Sequence, residues 1–104
     1  MTYSQSLSRK RRNLIHYLRN GIEIVRPYAA PDESPFADAV ELLAITRKWV
    51  LMSEEHLALV EIATEHLVAA YRPRMAHGKG ARTAIALDSA AIVRSAWHSI
   101  GYSI

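Results

Sequence analysis

The sequence predicts a compact all-α domain, a bundle of about four helices with a basic loop before the last helix. Apolar residues recur at helical spacing in about four blocks, and prolines and glycines fall between these blocks. Alanine, a strong helix former, occurs 16 times. A chain of 104 residues, of which 50% are hydrophobic and 22% charged, is long enough for one small core. We therefore expect a single domain over residues 1–104, with residues 1–8 as a candidate flexible basic arm.

The first block, from Ser6 to Arg26, predicts an amphipathic helix that ends at Pro27. Its apolar face contains Leu7, Leu14, Leu18, Ile22 and Val25. Its outer face contains Arg12, His16, Arg19, Glu23 and Arg26. The dipeptide Asn20-Gly21 is also a turn signal, so a short strand over residues 22–25 is the alternative.

Three further helices follow. The second is expected from Pro35 to about Trp49, with Ser34 as its N-cap, although residues 48–52 also tolerate an extended conformation. The third begins after the capping residue Ser53 and runs to about Arg72, before Pro73. This helix is apolar around most of its circumference, which predicts a central position. The last helix begins near Arg82 or Asp88 and ends near Ile100, with Ile85, Ile92, Val93, Trp97 and Ile100 as its large core residues.

Charge is distributed unevenly along the chain, whose formal net charge is +3. Residues 1–26 carry +5, residues 27–71 carry −6 and residues 72–104 carry +4. Such a pattern indicates either basic ends that fold against an acidic middle, or basic ends that form a surface for a polyanion. A surface of mixed, solvated charge is the third interpretation.

No catalytic, metal or cofactor site is predicted. The chain has no cysteine, which excludes a disulfide framework, a cysteine-ligated metal and a thiol nucleophile. The five histidines are scattered, and no serine lies in a nucleophile motif. The segment 77–82, with two glycines and two cations before a helix, has the composition of an anion-binding loop or of an exposed flexible loop. We therefore expect a non-enzymatic protein without a cofactor.

Two clusters of cations predict binding to nucleic acid. Arginine outnumbers lysine ten to three, and its planar guanidinium suits bidentate contacts with phosphate and guanine. The expected function is that of a small regulator or packaging accessory, provided that both clusters lie on one side of the bundle. The candidate residues of the first cluster are Arg9, Lys10, Arg11, Arg12, Arg19 and Arg26, and those of the second are Arg72, Arg74, Lys79 and Arg82.

An adaptor or inhibitor that docks on another protein, or on a nucleoprotein complex, is the alternative. The excess of apolar surface over what four short helices cover also predicts a homodimer. No apolar run approaches the length of a membrane span, and the apolar stretch after Arg12 is interrupted by polar residues. We therefore expect a cytoplasmic protein without a membrane partner.

Overall fold

The computed structural model describes residues 3–79 and 83–103. Its regular secondary structure over these ranges consists of helices, which are joined by short loops. Helix α1 spans Tyr3–Val25, α2 spans Ser34–Lys48, α3 spans Glu54–Met75 and α4 spans Leu87–Gly101; a single 3₁₀ turn over Arg26–Tyr28 follows α1. The predicted all-α bundle of four helices is confirmed. Residues 3–8, part of the candidate arm, are helical.

The helices run alternately up and down. Arg11 near the start of α1 reaches the last turn of α2, so these two helices are antiparallel. Gly21 of α1 faces Thr64 of α3, and Arg94 of α4 contacts Asp38 of α2. The larger contacts join α1 to α2, α2 to α4, α4 to α3 and α3 to α1. Each helix thus packs mainly against two neighbours, with α2 and α3 on one diagonal and α1 and α4 on the other.

This arrangement defines two ends of the bundle. At the lower end lie the start of α1, the end of α2, the start of α3 and the end of α4. At the upper end lie the end of α1, the start of α2, the end of α3, the start of α4 and the loop before α4.

Helix α1 is continuous, so the strand alternative for residues 22–25 is wrong. Gly21 does not form a turn; it allows α1 and α3 to pack closely. A Cβ atom at this position would lie 3.1 Å from Cγ2 of Thr64, so α1 and α3 approach closely here because residue 21 has no side chain. Its neighbours Leu18 and Ile22 are buried in the core, as the apolar face of α1 predicts.

Four helix ends differ from the sequence prediction. Helix α1 begins at Tyr3, three residues before the predicted start at Ser6. Glu33, not Ser34, is the N-cap of α2, since Ser34 is the first helical residue and its hydroxyl donates to Asp38. Helix α2 ends at Lys48, and residues 49–53 are neither helix nor strand. Helix α3 begins at its predicted cap, where the Ser53 hydroxyl accepts the His56 amide at 3.2 Å. It then continues past Pro73 to Met75.

Helix α3 holds the centre of the core, as predicted. Its fully buried side chains include Leu57, Val60, Leu67 and Tyr71, whereas Ile62 remains exposed. The polar strip of Glu54, Glu61 and Glu65 faces outward. On α4, Val93 and Ile100 are buried as expected, but Ile92 lies at the surface with 36% of its area exposed.

The substitution Leu67→Ala tests the central position of α3. We expect it to lower the free energy of unfolding by about 2–5 kcal/mol, because it removes a fully buried side chain from a packed interior. The control Glu61→Ala changes an exposed residue of the same helix and should stay within about 0.5 kcal/mol of wild type. Urea denaturation measures both, and equal losses would contradict the assigned faces.

Candidate nucleic-acid interface

The cations that the sequence groups together have different environments in the fold. Exposed on α1 are Arg9, Lys10, Arg12 and Arg19; exposed beyond it are Arg26 in the 3₁₀ turn, Arg72 and Lys79. Arg11 is half-buried and Arg74 is buried. Arg82 lies outside the described residues.

Arg11 caps the end of α2. Its Nε donates to the carbonyl oxygens of Thr46 and Trp49, each at 3.1 Å, and its Nη2 donates to that of Arg47 at 2.9 Å. Carbonyl groups in the last turn of a helix have no intrahelical partner and carry partial negative charge, so a guanidinium stabilises them. Arg11 is thus engaged within the fold, although it belongs to the basic run of residues 9–12.

Arg74 is buried at the upper end of the bundle, where its guanidinium donates hydrogen bonds to protein acceptors. Its Nη1 and Nη2 each donate to a carboxylate oxygen of Glu33 at 2.7 Å, in a bidentate ion pair. The same guanidinium donates to the carbonyl oxygens of Tyr28 at 3.0 Å and Thr83 at 2.7 Å. Arg74 therefore joins the loop after α1, the start of α2, the end of α3 and the loop before α4. These contacts hold the last turn of α3 in place beyond Pro73, whose missing N–H would otherwise weaken it.

The electrostatics of this cluster follow from its burial. Burial would raise the pKa of Glu33, but the hydrogen bonds and positive charge of Arg74 outweigh it, so that the pKa lies below its usual value. The ionised pair stabilises the fold at neutral pH, and this contribution is lost as the pH falls through the pKa of Glu33. Burial also raises the pKa of the Tyr71 phenol, and the charge of Glu33 raises it further. Its hydroxyl has no hydrogen-bond partner among the described residues.

The exposed face of α1 carries four cations that form no ion pair within the described part of the protein. Arg9, Lys10, Arg12 and Arg19 form no ion pair with any carboxylate in the described part of the chain. Nη2 of Arg19 lies 3.3 Å from Nδ1 of His16, one turn earlier on the same face. We call these four cations the α1 basic face. From Arg9 to Arg19 it extends about 15 Å along the helix, at 1.5 Å per residue.

Arg26 contributes less positive charge than its position suggests. Its Nη2 lies 2.9 Å from Oε1 of Glu23, and its guanidinium lies over the ring of Phe36, 5.3 Å from the centroid. The exposed pair with Glu23 cancels its charge locally. The positive potential of α1 is therefore concentrated in its first 17 residues, from Tyr3 to Arg19.

The two predicted clusters do not form one patch. Arg9, Lys10 and Arg12 lie towards the lower end, whereas Arg72 and Lys79 belong to the upper end. Helices α1 and α3 run parallel, so only Arg26 of the first cluster reaches the end where the second lies. The acidic strip of α3 occupies the outer face of the helix that carries Arg72.

Residues 3–79 and 83–103 contain no group of three metal-ligating side chains, and none of their helices is both long and apolar enough to span a membrane. The candidate anion-binding loop 77–82 lies in part outside the described residues; within them, Gly78 has a φ of 89° and Lys79 is exposed.

Comparison with known proteins adds no functional assignment. No family model matches the chain, and no curated protein and no solved structure matches it. The functional argument therefore rests on the surface of the molecule.

Arg74→Ala is expected to destabilise the protein by about 3–5 kcal/mol, because it leaves the carboxylate of Glu33 without its partner in a largely buried site. Arg72→Ala is the matched control, since it removes an exposed arginine from the same turn of α3 and should change stability by no more than about 0.5 kcal/mol. Chemical denaturation at neutral pH measures the two variants. Similar losses in both would show that the position of Arg74 carries no special role.

Proposed function

We propose that the protein is a small, non-enzymatic nucleic-acid-binding module, a regulator or packaging accessory, that contacts phosphates through the α1 basic face. The observation that carries this proposal is the set of four unpaired, exposed cations on one helix, Arg9, Lys10, Arg12 and Arg19. Phosphate contacts by arginine and lysine provide most of the sequence-independent affinity for nucleic acid. Arg9, Arg12 and Arg19 lie within about 80° of one another around the helix axis, whereas Lys10 lies on the opposite flank of the exposed surface.

The internal use of Arg11 and Arg74 supports the same face. Arg74 directs Nε, Nη1 and Nη2 at protein acceptors, and Arg11 directs Nε and Nη2 at the end of α2, so the fold already uses most of the first guanidinium and part of the second. Each holds an end of the bundle in shape, and thereby keeps α1 fixed relative to its neighbours. The expected footprint is consequently smaller than the ten cations that the sequence suggests. Arg72 and Lys79 lie at the rim of any ligand that extends beyond Arg26.

A protein partner is the second candidate, for an adaptor or inhibitor. Val50 and Leu51, in the segment between α2 and α3, are 66% and 85% exposed. They border a groove of about 340 Å³ that Leu7 and Met52 also line, at the lower end where the basic residues of α1 begin. An apolar segment flanked by carboxylates would complement this surface. Val50→Ser with Leu51→Ser would weaken such a partner, but should leave phosphate contacts on α1 unchanged.

The double variant Arg12→Ala with Arg19→Ala tests the proposed function. Fluorescence anisotropy with labelled duplex DNA, and with RNA of the same sequence, gives the affinity between about 50 and 200 mM salt. We expect weaker binding and a log–log salt slope that is smaller by about 1.8, since each lost phosphate contact removes about 0.9. Lower affinity without a change of slope would contradict direct phosphate contacts by these residues.

The matched control is Arg47→Ala with Lys48→Ala, which removes the same charge from the exposed end of α2. This variant should keep the wild-type slope. Equal effects of both pairs would indicate a response to net charge alone. A wild-type protein that binds neither nucleic acid at low salt would overturn the proposal and favour a protein partner.

A further inference from the structure

A groove lies on a different face of the bundle, between the lower halves of α2 and α4. Its volume is about 200 Å³, and it is lined by Glu41, Ile45, Trp97, His98, Gly101 and Tyr102. Pockets that hold drug-sized ligands measure about 300–1,000 Å³, so this groove fits one small chemical group. Because α4 lies diagonal to α1, the groove is separate from the α1 basic face.

Three aromatic rings follow one another along this groove. The ring centroids of Trp97 and His98 are 4.7 Å apart, and those of His98 and Tyr102 are 5.4 Å apart. Tyr102 is 82% exposed, which leaves its ring in water. In the described residues, cation–π contacts occur at Phe36 and Tyr71, and none involves these three rings. Tyr102 thus offers the most accessible ring, whereas Trp97 packs partly against the core with its indole nitrogen buried and contributes only the edge that lines the groove.

The charge of the groove is negative. Glu41 is exposed and forms no ion pair with any cation in the described part of the chain. Arg94, one turn before His98 on α4, is held by Asp38 at 3.3 Å and so neutralises that carboxylate, not Glu41. The groove thus combines the electron-rich faces of aromatic rings with one uncompensated carboxylate, in a protein whose net charge is +3.

We propose that this groove binds a methylated ammonium group. Aromatic faces attract cations through the ring quadrupole, and a quaternary ammonium suits them because it is bulky, apolar at its surface and weakly hydrated. The carboxylate of Glu41 adds a favourable charge at the rim. A bare metal ion is a poorer fit, because its preferred ligands are several oxygen or nitrogen atoms and the groove offers one carboxylate.

A titration with choline at pH 8, followed by ¹H–¹⁵N NMR, tests the proposal on the intact chain. The resonances of Trp97, His98 and Tyr102 should shift with a dissociation constant in the millimolar range, as expected for one small cation. The indole resonance of Trp49 is an internal control, since Trp49 does not line the groove and its ring packs on His56 of α3. The neutral isostere 3,3-dimethyl-1-butanol should leave the resonances unchanged, at matched ionic strength.

Two substitutions complete the test. Glu41→Gln should weaken choline binding about fivefold, whereas Glu54→Gln, the same change at an exposed site on α3, should have no effect. Tyr102→Ala, at a largely exposed ring, should weaken it about threefold without unfolding the protein.

The proposal would be overturned by the absence of a shift with choline, by equal shifts with the neutral isostere, or by equal effects of the two glutamate variants. Phosphatidylcholine vesicles form a separate arm of the experiment. Binding of both choline and vesicles supports the proposal and assigns the ammonium to a lipid headgroup, and binding of choline alone supports it and assigns a free or peptide-borne ammonium. A protein that binds the vesicles but not free choline would overturn the proposal, since the aromatic residues would then respond to the membrane and not to the cation.

Discussion

The bidentate ion pair between Arg74 and Glu33 is the interaction on which the upper end of the bundle depends. Arg74 is buried and Glu33 is partly buried, and the guanidinium also donates to the backbone carbonyls of Tyr28 and Thr83. Two stretches of the chain that are distant in sequence, residues 28–33 and 74–83, therefore meet at one side chain. Removing either partner leaves a charge in a site of low polarity, which makes the pair necessary once the fold is formed. The charge pattern of the sequence thus has an internal component, because Glu33 and Asp38 of the acidic middle segment bind Arg74 and Arg94 of the basic last segment.

This internal use of charge determines what remains at the surface. Arg11 at the lower end and Arg74 at the upper end fix the relative positions of the helices, and Arg26 and Arg94 are paired with carboxylates. The unpaired cations of α1 then face solvent, with Arg9, Arg12 and Arg19 on one side of the helix and Lys10 on its other flank. Exposed cations without counter-ions in the described part of the protein are suited to an anionic ligand. Separate faces for the cations and for the aromatic groove would let two ligands bind without competition.

The sequence predicted the helices well because their patterns are local. The apolar spacing of α1, the cap at Ser53 and the position of Pro35 each depend on neighbours within a few residues. It did not predict the end of α3, since the bonds that carry this helix past Pro73 come from residues up to 46 positions away. For the same reason the sequence grouped Arg11 and Arg74 with the surface cations. The aromatic groove was missed because it exists only where α4 packs beside α2.

The central claim is that the arginines divide into an internal set and a ligand-binding set. An arginine-selective ¹H–¹⁵N spectrum of the Nε–H groups, recorded before and after addition of a short DNA duplex, tests this division directly. We expect the Nε–H groups of Arg11 and Arg74 to exchange slowly with water and to keep their positions, because backbone carbonyls accept them. Those of Arg12 and Arg19 should exchange quickly and shift on addition of DNA. Rapid exchange at Arg74, or equal shifts at Arg11 and Arg12, would contradict the account.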